Sequence, residues 1–411
     1  MTRRGPWVAS VAGVAALALV GCAQVPPGSA PGSPTSSPSG SMPGGSGTTS
    51  SLPTASGTGT PGAPGSNTCG DLVAGMSMSE QAAELVMMGV TGDLDAAEAA
   101  ALAEHGFGSV ILMGNTEHGV AGTKERTDAI QEAGGGEVLI AVDQEGGLVR
   151  RLRGPGFTAM PSAADQAEMT PEKLTTAAEQ WGRQMAEAGV HLDLAPVADV
   201  VPADKVGTNE PIGKLGRGYG TTPEAVAQNV VAVVTGFQRA GIAASPKHFP
   251  NLGEVVGNTD FAAQVVDDVT TADSASLEPY RQAIAAGVDT VMVGTAWYTQ
   301  IDPDAPAAFS PTVLSILRED LAFDGVIVSD DLGVAKAVAD VPAAERGVRF
   351  VRAGGDLGIA VDVAPAAAMV EGLAAAAAGD PALAERVAES ATRVLALKTR
   401  LGLATCERVV G

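Results

Sequence analysis

Eight short apolar runs, each passing into polar residues and separated from the next by an Ala-rich amphipathic stretch, restrict what this chain can fold into. They are 85–90 (LVMMGV), 108–113 (GSVILM), 138–143 (VLIAVD), 191–197 (HLDLAPV), 242–248 (IAASPKH), 290–294 (TVMVG), 325–330 (GVIVSD) and 357–361 (LGIAV). Runs this short and continuous are what parallel strands buried on both faces look like. Helical periodicity separates them, at 94–105, 171–188, 223–240, 273–286, 311–321 and 343–353, and two further helices are expected on the outside over roughly 364–377 and 381–402. Several helical stretches end at a glycine, namely Gly106, Gly189, Gly241 and Gly287, where a left-handed C-cap stops a helix without a Cβ penalty. Alternation of this kind predicts a parallel sheet, and eight units favour its closure into a (β/α)8 TIM-type barrel, an α/β fold. The rival is a doubly wound open sheet, but no Gly-x-Gly-x-x-Gly follows the first strand.

The N-terminal part stands outside this grammar. Arg3 and Arg4, an apolar core and the ending Leu19, Val20, Gly21, Cys22 resemble a bacterial lipoprotein signal, residues 1–22, in which Cys22 is acylated and becomes the mature N-terminus. A cleaved secretory peptide or a short membrane anchor is the alternative, and each of these implies export. Residues 23–68 are almost wholly Pro, Ser, Gly, Thr and Ala, a composition that makes a flexible tether or a spacer carrying sugars. One globular domain, 69–411, remains. Cys69 and Cys406 bracket it, and an exported location permits a disulfide between them, against two buried or unpaired thiols. With 45% hydrophobic residues the chain can bury a large core, while its formal charge of -22, from 47 acidic and 25 basic residues, argues against nucleic acid or an anionic membrane surface as partner. Membrane attachment is expected through the lipid anchor only, and neutral or cationic substrates fit best.

In a barrel the C-terminal strand ends converge on one site. The polar residues there are Asp143, Gln144 and Glu145 after the third strand, Asp199 after the fourth, Lys247 and His248 after the fifth, Trp297 and Tyr298 after the sixth, and Asp330 and Asp331 after the seventh. They predict a carboxylate-rich pocket with an adjoining Lys/His pair and an aromatic wall, with a purely structural role for Trp297 and Tyr298 as the equal alternative. The His and Cys spacing of a zinc site and the Gly-rich cradle of a phosphate site are both missing, so no metal and no cofactor are expected.

Five stretches in this order, VDQEGGLVRRL (142–152), LAPVADV (194–200), GRGYG (216–220), KHFP (247–250) and FDGVIVSDDLG (323–333), resemble glycoside hydrolase family 3. Their spacing is similar to that of its single-domain bacterial β-N-acetylhexosaminidases, which act on cell-wall fragments, and the likeness covers residues 70–402. The resemblance implies a retaining hydrolase of β-linked N-acetylglucosaminides. Asp330 falls on the family's nucleophile, and Asp143, Arg151, Arg217, Lys247 and His248 fall on positions that grip sugar hydroxyls. Read as residues alone, Asp330 could instead cap the following helix with Asp331 exposed, Lys247 and Asp143 could be an internal ion pair, and His248 a packed core histidine. Arg217 departs from the family's Arg-Ser-Phe-Gly, with Arg217-Gly218-Tyr219-Gly220 in its place.

A second departure bears on the chemistry. In the family KHFP continues as Gly-His-Gly and reaches an Asp-Ser-His whose histidine is the general acid/base. Here the spacing gives Asn251-Leu252-Gly253 and then Asn258-Thr259-Asp260, so Asp260 stands where the histidine belongs and Asn258 where its orienting carboxylate belongs. An imidazole titrates at about 6.5 and an aspartate near 3.9, so Asp260 needs burial or a neighbouring carboxylate to hold a proton. Asp260 is therefore expected to be a non-standard acid/base, with Glu254 in the same loop as the fallback. Two other expectations stand beside this one. One is a catalytically impaired sugar-binding or cell-wall sensing lipoprotein. The other is β-glucosidase-like or β-xylosidase-like specificity, although many such enzymes carry the acid/base on a second α/β domain for which this chain is too short.

Overall fold

The computed structural model describes residues 66–406. Residues 1–22 with Cys22, and nearly all of the tether at 23–68, lie outside the described residues; a helix, Ser66–Val73, begins at the tether's last positions. Among the described residues no helix is long and apolar enough to cross a membrane.

All eight apolar runs become parallel strands: β1 (Val86–Thr91), β2 (Ser109–Met113), β3 (Leu139–Val142), β4 (Leu192–Asp193), β5 (Ala243–Ala244), β6 (Thr290–Val293), β7 (Val326–Asp331) and β8 (Leu357–Ala360). They form one sheet in the order β5-β4-β3-β2-β1-β8-β7-β6. Its edges meet through the residues after β5: Phe249 N–H donates to Met292 O at 2.8 Å, Met292 N–H to Pro246 O at 3.0 Å and Gly294 N–H to Phe249 O at 2.9 Å. The α/β barrel is thereby nearly closed. Strands β4 and β5 are two residues long because Pro196 and Pro246 follow almost at once, and a proline has no N–H for the ladder. Beyond them the chain runs on as the isolated bridges Val197–Lys247 and Phe249–Val293, and this irregular stretch carries Lys247 and His248.

The helices owe their bounds to local chemistry. Pro171–Glu187, Pro223–Ala240, Pro311–Ser315 and Pro381–Arg400 each begin with proline after a Thr, Ser or Asp whose side chain accepts a first-turn N–H, a pairing that satisfies an orphan donor and presets the first φ. Gly106, Gly189, Gly241 and Gly287 all take positive φ at the ends of helical stretches. The 311–321 stretch is α-helical only to Ser315 and then widens into a π turn, Ile316–Asp320. Helix Gly119–Ala133, between β2 and β3, was not anticipated from the sequence. Its inward face includes Thr123, Arg126 and Thr127, so it lacks a clear apolar stripe, and Arg126 instead donates to Val90 O at 2.7 Å.

First and last elements meet. Cys69 and Cys406 are joined in a disulfide with Cα atoms 4.7 Å apart, and Lys398, 1% exposed, pairs with Glu84 at 2.5 Å. Closing so long a loop stabilises a fold by about 2–4 kcal/mol.

Candidate active site

The barrel mouth holds a cavity of about 430 Å³. Strand β3 and the hairpin after it (Gln144–Gly146 paired with Val149–Arg150) bring Asp143, Glu145 and Arg151 to its wall, the stretch after β5 brings Lys247 and His248, and β7 brings Asp330 and Asp331. Arg217, from the loop after β4, and Asp260 line it too. Every predicted catalytic and sugar-binding residue therefore faces one space.

The floor is a network of alternating charge. Lys247 Nζ lies 2.5 Å from Asp143 Oδ1 and 2.7 Å from Glu145 Oε1. Glu145 also receives both arms of Arg217, Nε at 2.8 Å and Nη2 at 2.7 Å, while Arg217 Nη1 donates to Pro211 O at 2.7 Å. Burial pushes the Glu145 carboxyl up, but Arg217 and Lys247 outweigh it and hold it far below the usual carboxylate range. Burial likewise opposes the Lys247 charge, and Asp143 and Glu145 more than restore it. Two cations and two carboxylates cancel, which is what makes so dense a buried cluster tolerable. The ion pair between Lys247 and Asp143 thus exists and lines the cavity as well. Of the three Lys247 donors one remains free for a ligand, and of the five on Arg217 two remain.

His248, 5% exposed, is packed and also lines the cavity. Its Nδ1 lies 2.8 Å from Asp199 Oδ2, and Asp199 Oδ1 accepts the N–H groups of His248 at 3.2 Å and Leu252 at 2.6 Å. Arg151 Nη1 donates to Asn115 at 3.3 Å, while its buried Nε has no partner.

At the end of β7 the two aspartates divide their work, opposite to the alternative in which Asp330 is the cap. Asp331 accepts from the N–H groups of Gly333, Val334, Ala335 and Val361 at 2.8 to 3.1 Å, which ties it to the backbone. Among the described residues Asp330 accepts only from the N–H of Asp331, at 2.9 Å, and it faces the cavity.

The loop bearing Asp260 is held at both ends. Asn209 Nδ2 donates to Leu252 O at 2.7 Å and Val255 O at 2.9 Å, and Tyr298 Oη to Asn251 O at 2.6 Å. A Cβ on Gly253 would lie 1.7 Å from Val200 O, so only glycine fits. At the tip, Ala337 N–H donates to Thr259 O at 3.2 Å and Lys336 N–H to Asp260 O at 3.4 Å, which docks the tip on the segment that follows Asp330 and Asp331. Asn258 Oδ1 accepts the Asp260 N–H at 2.9 Å, forming a turn instead of orienting a side chain. The residue Asp260 is exposed at the cavity's edge, yet its carboxyl is partly shut off from water. That burial, with the nearby charges of Asp330 and Asp331, raises it to about 6 against weaker opposition from His248 and Arg217. Glu254 pairs with Lys205 at 2.5 Å and does not line the cavity.

The expected aromatic wall is absent. Trp297 and Tyr298 form a strand between Val266–Asp267 and Asp302–Pro306, and strand alternation turns them to opposite sides. Tyr298 is wholly buried, and Trp297 lines a separate cleft of about 580 Å³ whose walls include neither Lys247 nor Asp330. Sequence reasoning passed over Asp193. It is fully buried, with Oδ1 accepting Gln144 N–H at 2.9 Å and Oδ2 unpartnered. Burial, then Asp143 and Glu145, raise it to about 8 against the Gln144 hydrogen bond and Lys247. Its only sequence signal is one carboxylate inside the apolar run HLDLAPV. Glu145 was named at the strand end, but its place between Arg217 and Lys247 was not foreseen.

Comparison with known proteins agrees with this geometry. A β-hexosaminidase of Stenotrophomonas maltophilia is 34% identical over 277 residues, 63% of this chain and 78% of that protein. One from Tolumonas auensis is 33% identical over 299 residues, 70% of this chain and 86% of that protein. The crystal structure of a β-N-acetylhexosaminidase from Beutenbergia cavernae superposes with a TM-score of 0.77 at 40% identity, covering 79% of this chain and 99% of that one. The glycosyl hydrolase family 3 N-terminal domain matches residues 77–397. With the match spanning the whole barrel and the charged mouth assembled on it, the chain belongs to glycoside hydrolase family 3.

Proposed function

We propose that this glycoside hydrolase is a retaining β-N-acetylhexosaminidase that removes terminal β-linked N-acetylglucosamine from peptidoglycan-derived fragments. The observation that carries the reading is the pairing of two unlike carboxyls across one cavity. Asp330 is left free by the capping role of Asp331, and Asp260 is raised into a range where a carboxyl holds a proton. The names of the relatives support the sugar.

In the first step Asp330 attacks the anomeric carbon, the bond from that carbon to the glycosidic oxygen breaks, and Asp260 gives that oxygen its proton. In the second, Asp260 takes a proton from water, the water oxygen attacks the anomeric carbon, and the bond to Asp330 breaks. Lys247, His248, Asp143, Arg151 and the free donors of Arg217 grip the sugar hydroxyls, held in place by Glu145 and Asp199. Hydrolysis of an aryl β-N-acetylglucosaminide tests the assignment. Asp330→Asn is expected to lose roughly 10⁴-fold or more, and Asp260→Asn on the order of 10² to 10⁴-fold. An Asp330→Asn protein at wild-type rate would remove the nucleophile, and an Asp260→Asn protein at wild-type rate would remove the acid/base.

We further place the protein outside the cytoplasm, lipid-anchored at Cys22. The lipobox-like ending Leu19 to Cys22 supports this, as does the disulfide, a bond of oxidising compartments. Incorporation of a tagged fatty acid by the full chain, lost in Cys22→Ala, is the expected result.

A further inference from the structure

The floor of the cavity is charged, and its rim carries apolar side chains beside Asp260. Phe261 follows Asp260 directly and is 82% exposed, Val334 is 52% exposed and Leu215 36%, and all three line the cavity that holds Asp330. They arrive from three different loops, after β5, β7 and β4 respectively. Leu148, 69% exposed, sits at the turn of the hairpin after β3, beside the cavity-lining Val149. Phe261 is not held out by slack in its loop: its N–H and that of Ala262 both donate to Asn258 O, at 3.1 and 2.9 Å, and the preceding residue is docked on Lys336. An aromatic ring presented to water on an anchored backbone, with aliphatic neighbours at one mouth, marks a surface that a ligand covers.

Resting on the hydrolase reading above, we propose that Phe261, with Val334 and Leu215, forms the subsite for the leaving group, and that this subsite takes a second pyranose. The chemistry follows from position. Asp260 must stand beside the glycosidic oxygen, so the residue next to it faces whatever is bonded to the far side of that oxygen. A pyranose offers one face of C–H groups, which an aromatic ring covers at little cost in ordering, whereas the charged floor is matched to the hydroxyls of the sugar that is cleaved off. The glycone is thus chosen by hydrogen bonds and the leaving group by an apolar platform.

Binding to the full-length Asp330→Asn protein, which leaves ligands uncleaved, tests the subsite with N-acetylglucosamine and N,N′-diacetylchitobiose as probes. The disaccharide is expected to bind about tenfold tighter than the monosaccharide, as covering one exposed aromatic side chain would give. Adding Phe261→Ala is expected to remove most of that advantage, and adding Phe261→Tyr to keep it. Equal weakening of both sugars by Phe261→Ala would mean that the ring only supports its loop. That result, an unchanged disaccharide preference, no preference at the outset, or no binding of either sugar, overturns the proposal. Failure of the hydrolase reading shows separately, as absence of turnover of the aryl glucosaminide by the unsubstituted chain while these affinities persist.

Discussion

Two aspartates at opposite ends of neighbouring strands, Asp356 fully buried and Asp330 half-buried, show how one barrel treats structure and chemistry differently. Asp356, just before β8, is fully buried. Arg318 reaches it at 2.6 Å, Arg386 at 2.8 Å and Arg393 at 3.3 Å, and the Ile327 N–H and Ser390 hydroxyl complete its shell. Burial works against its charge, but Arg386, Arg318 and Arg393 prevail and hold it below the usual carboxylate range. Asp330, at the far end of β7, has only its neighbour's N–H. A carboxylate whose lone pairs are all occupied braces a fold, and one left open beside a second carboxyl can react. The two ends differ in both respects: the bracing carboxylate is fully buried and fully satisfied, and the one at the cavity is half-buried and left open.

The sharpest way to break this comparison is to remove each carboxylate in turn. Asp330→Asn is expected to abolish hydrolysis, by roughly 10⁴-fold or more, with thermal unfolding little changed. Asp356→Ala is expected to do the reverse, destabilising the fold by about 3–5 kcal/mol through its unpaired arginines while the folded fraction keeps its turnover. Denaturant titrations run alongside the assay check both, and a stability loss in the first or a catalytic loss without unfolding in the second would undo the distinction.

The pH dependence sharpens it further. As the proposed general acid, Asp260 has to be protonated in the free enzyme, and burial with the charges of Asp330 and Asp331 raises it to about 6, so kcat/KM is expected to fall as pH rises through that value, about tenfold per unit beyond it. A profile flat to pH 8 would mean that another group supplies the proton. Because Asp330 is one of the causes, Asp330→Asn is expected to lower the Asp260 titration seen by carbon NMR of labelled carboxyls.

The smallest effect concerns Asp193. Its acid form is favoured in the folded chain, at about 8, whereas the unfolded chain ionises near 3.9. The unfolded state therefore holds fewer protons between these values, and this group erodes stability as pH climbs from about 4 to 8. Asp193→Asn removes the titration, so its stability relative to wild type is expected to improve across that window by roughly 1 kcal/mol or more and then level off. Equal pH dependence of the two proteins would show that Asp193 is charged in the fold.

Much of this architecture was legible in the chain. The eight runs became the eight strands, and the Gly ends became helix boundaries, because these signals are local and backbone-driven. Helix Gly119–Ala133 was not anticipated, since three of its inward positions are polar, and two of them, Arg126 and Thr127, find partners on the distant carbonyls of Val90 and Ala188. Much of the site's membership was legible too, because a barrel gathers its strand ends, while Arg151, Arg217 and Asp260 came from the resemblance to the family. Roles within it were not. Whether Asp330 or Asp331 caps the next turn depends on where Val361 lies, 30 residues on, and Glu254 was removed from contention by Lys205, 49 residues away. Of the two readings of Trp297 and Tyr298 the structural one holds, because they belong to a small sheet that periodicity does not announce.

Sequence by itself determined the fold class and the ends of the barrel strands, which follow from short-range pattern and the identity of residues, while the position of Asp260 as the proposed acid/base came from the resemblance to the family. Tertiary structure decided which carboxylates are satisfied, that Asp260 shares a cavity with Asp330, and that Phe261 stands at its mouth. Protonation and reactivity depend on desolvation and on charges brought close in space, and neither is a property of any residue until distant parts of the chain have packed around it.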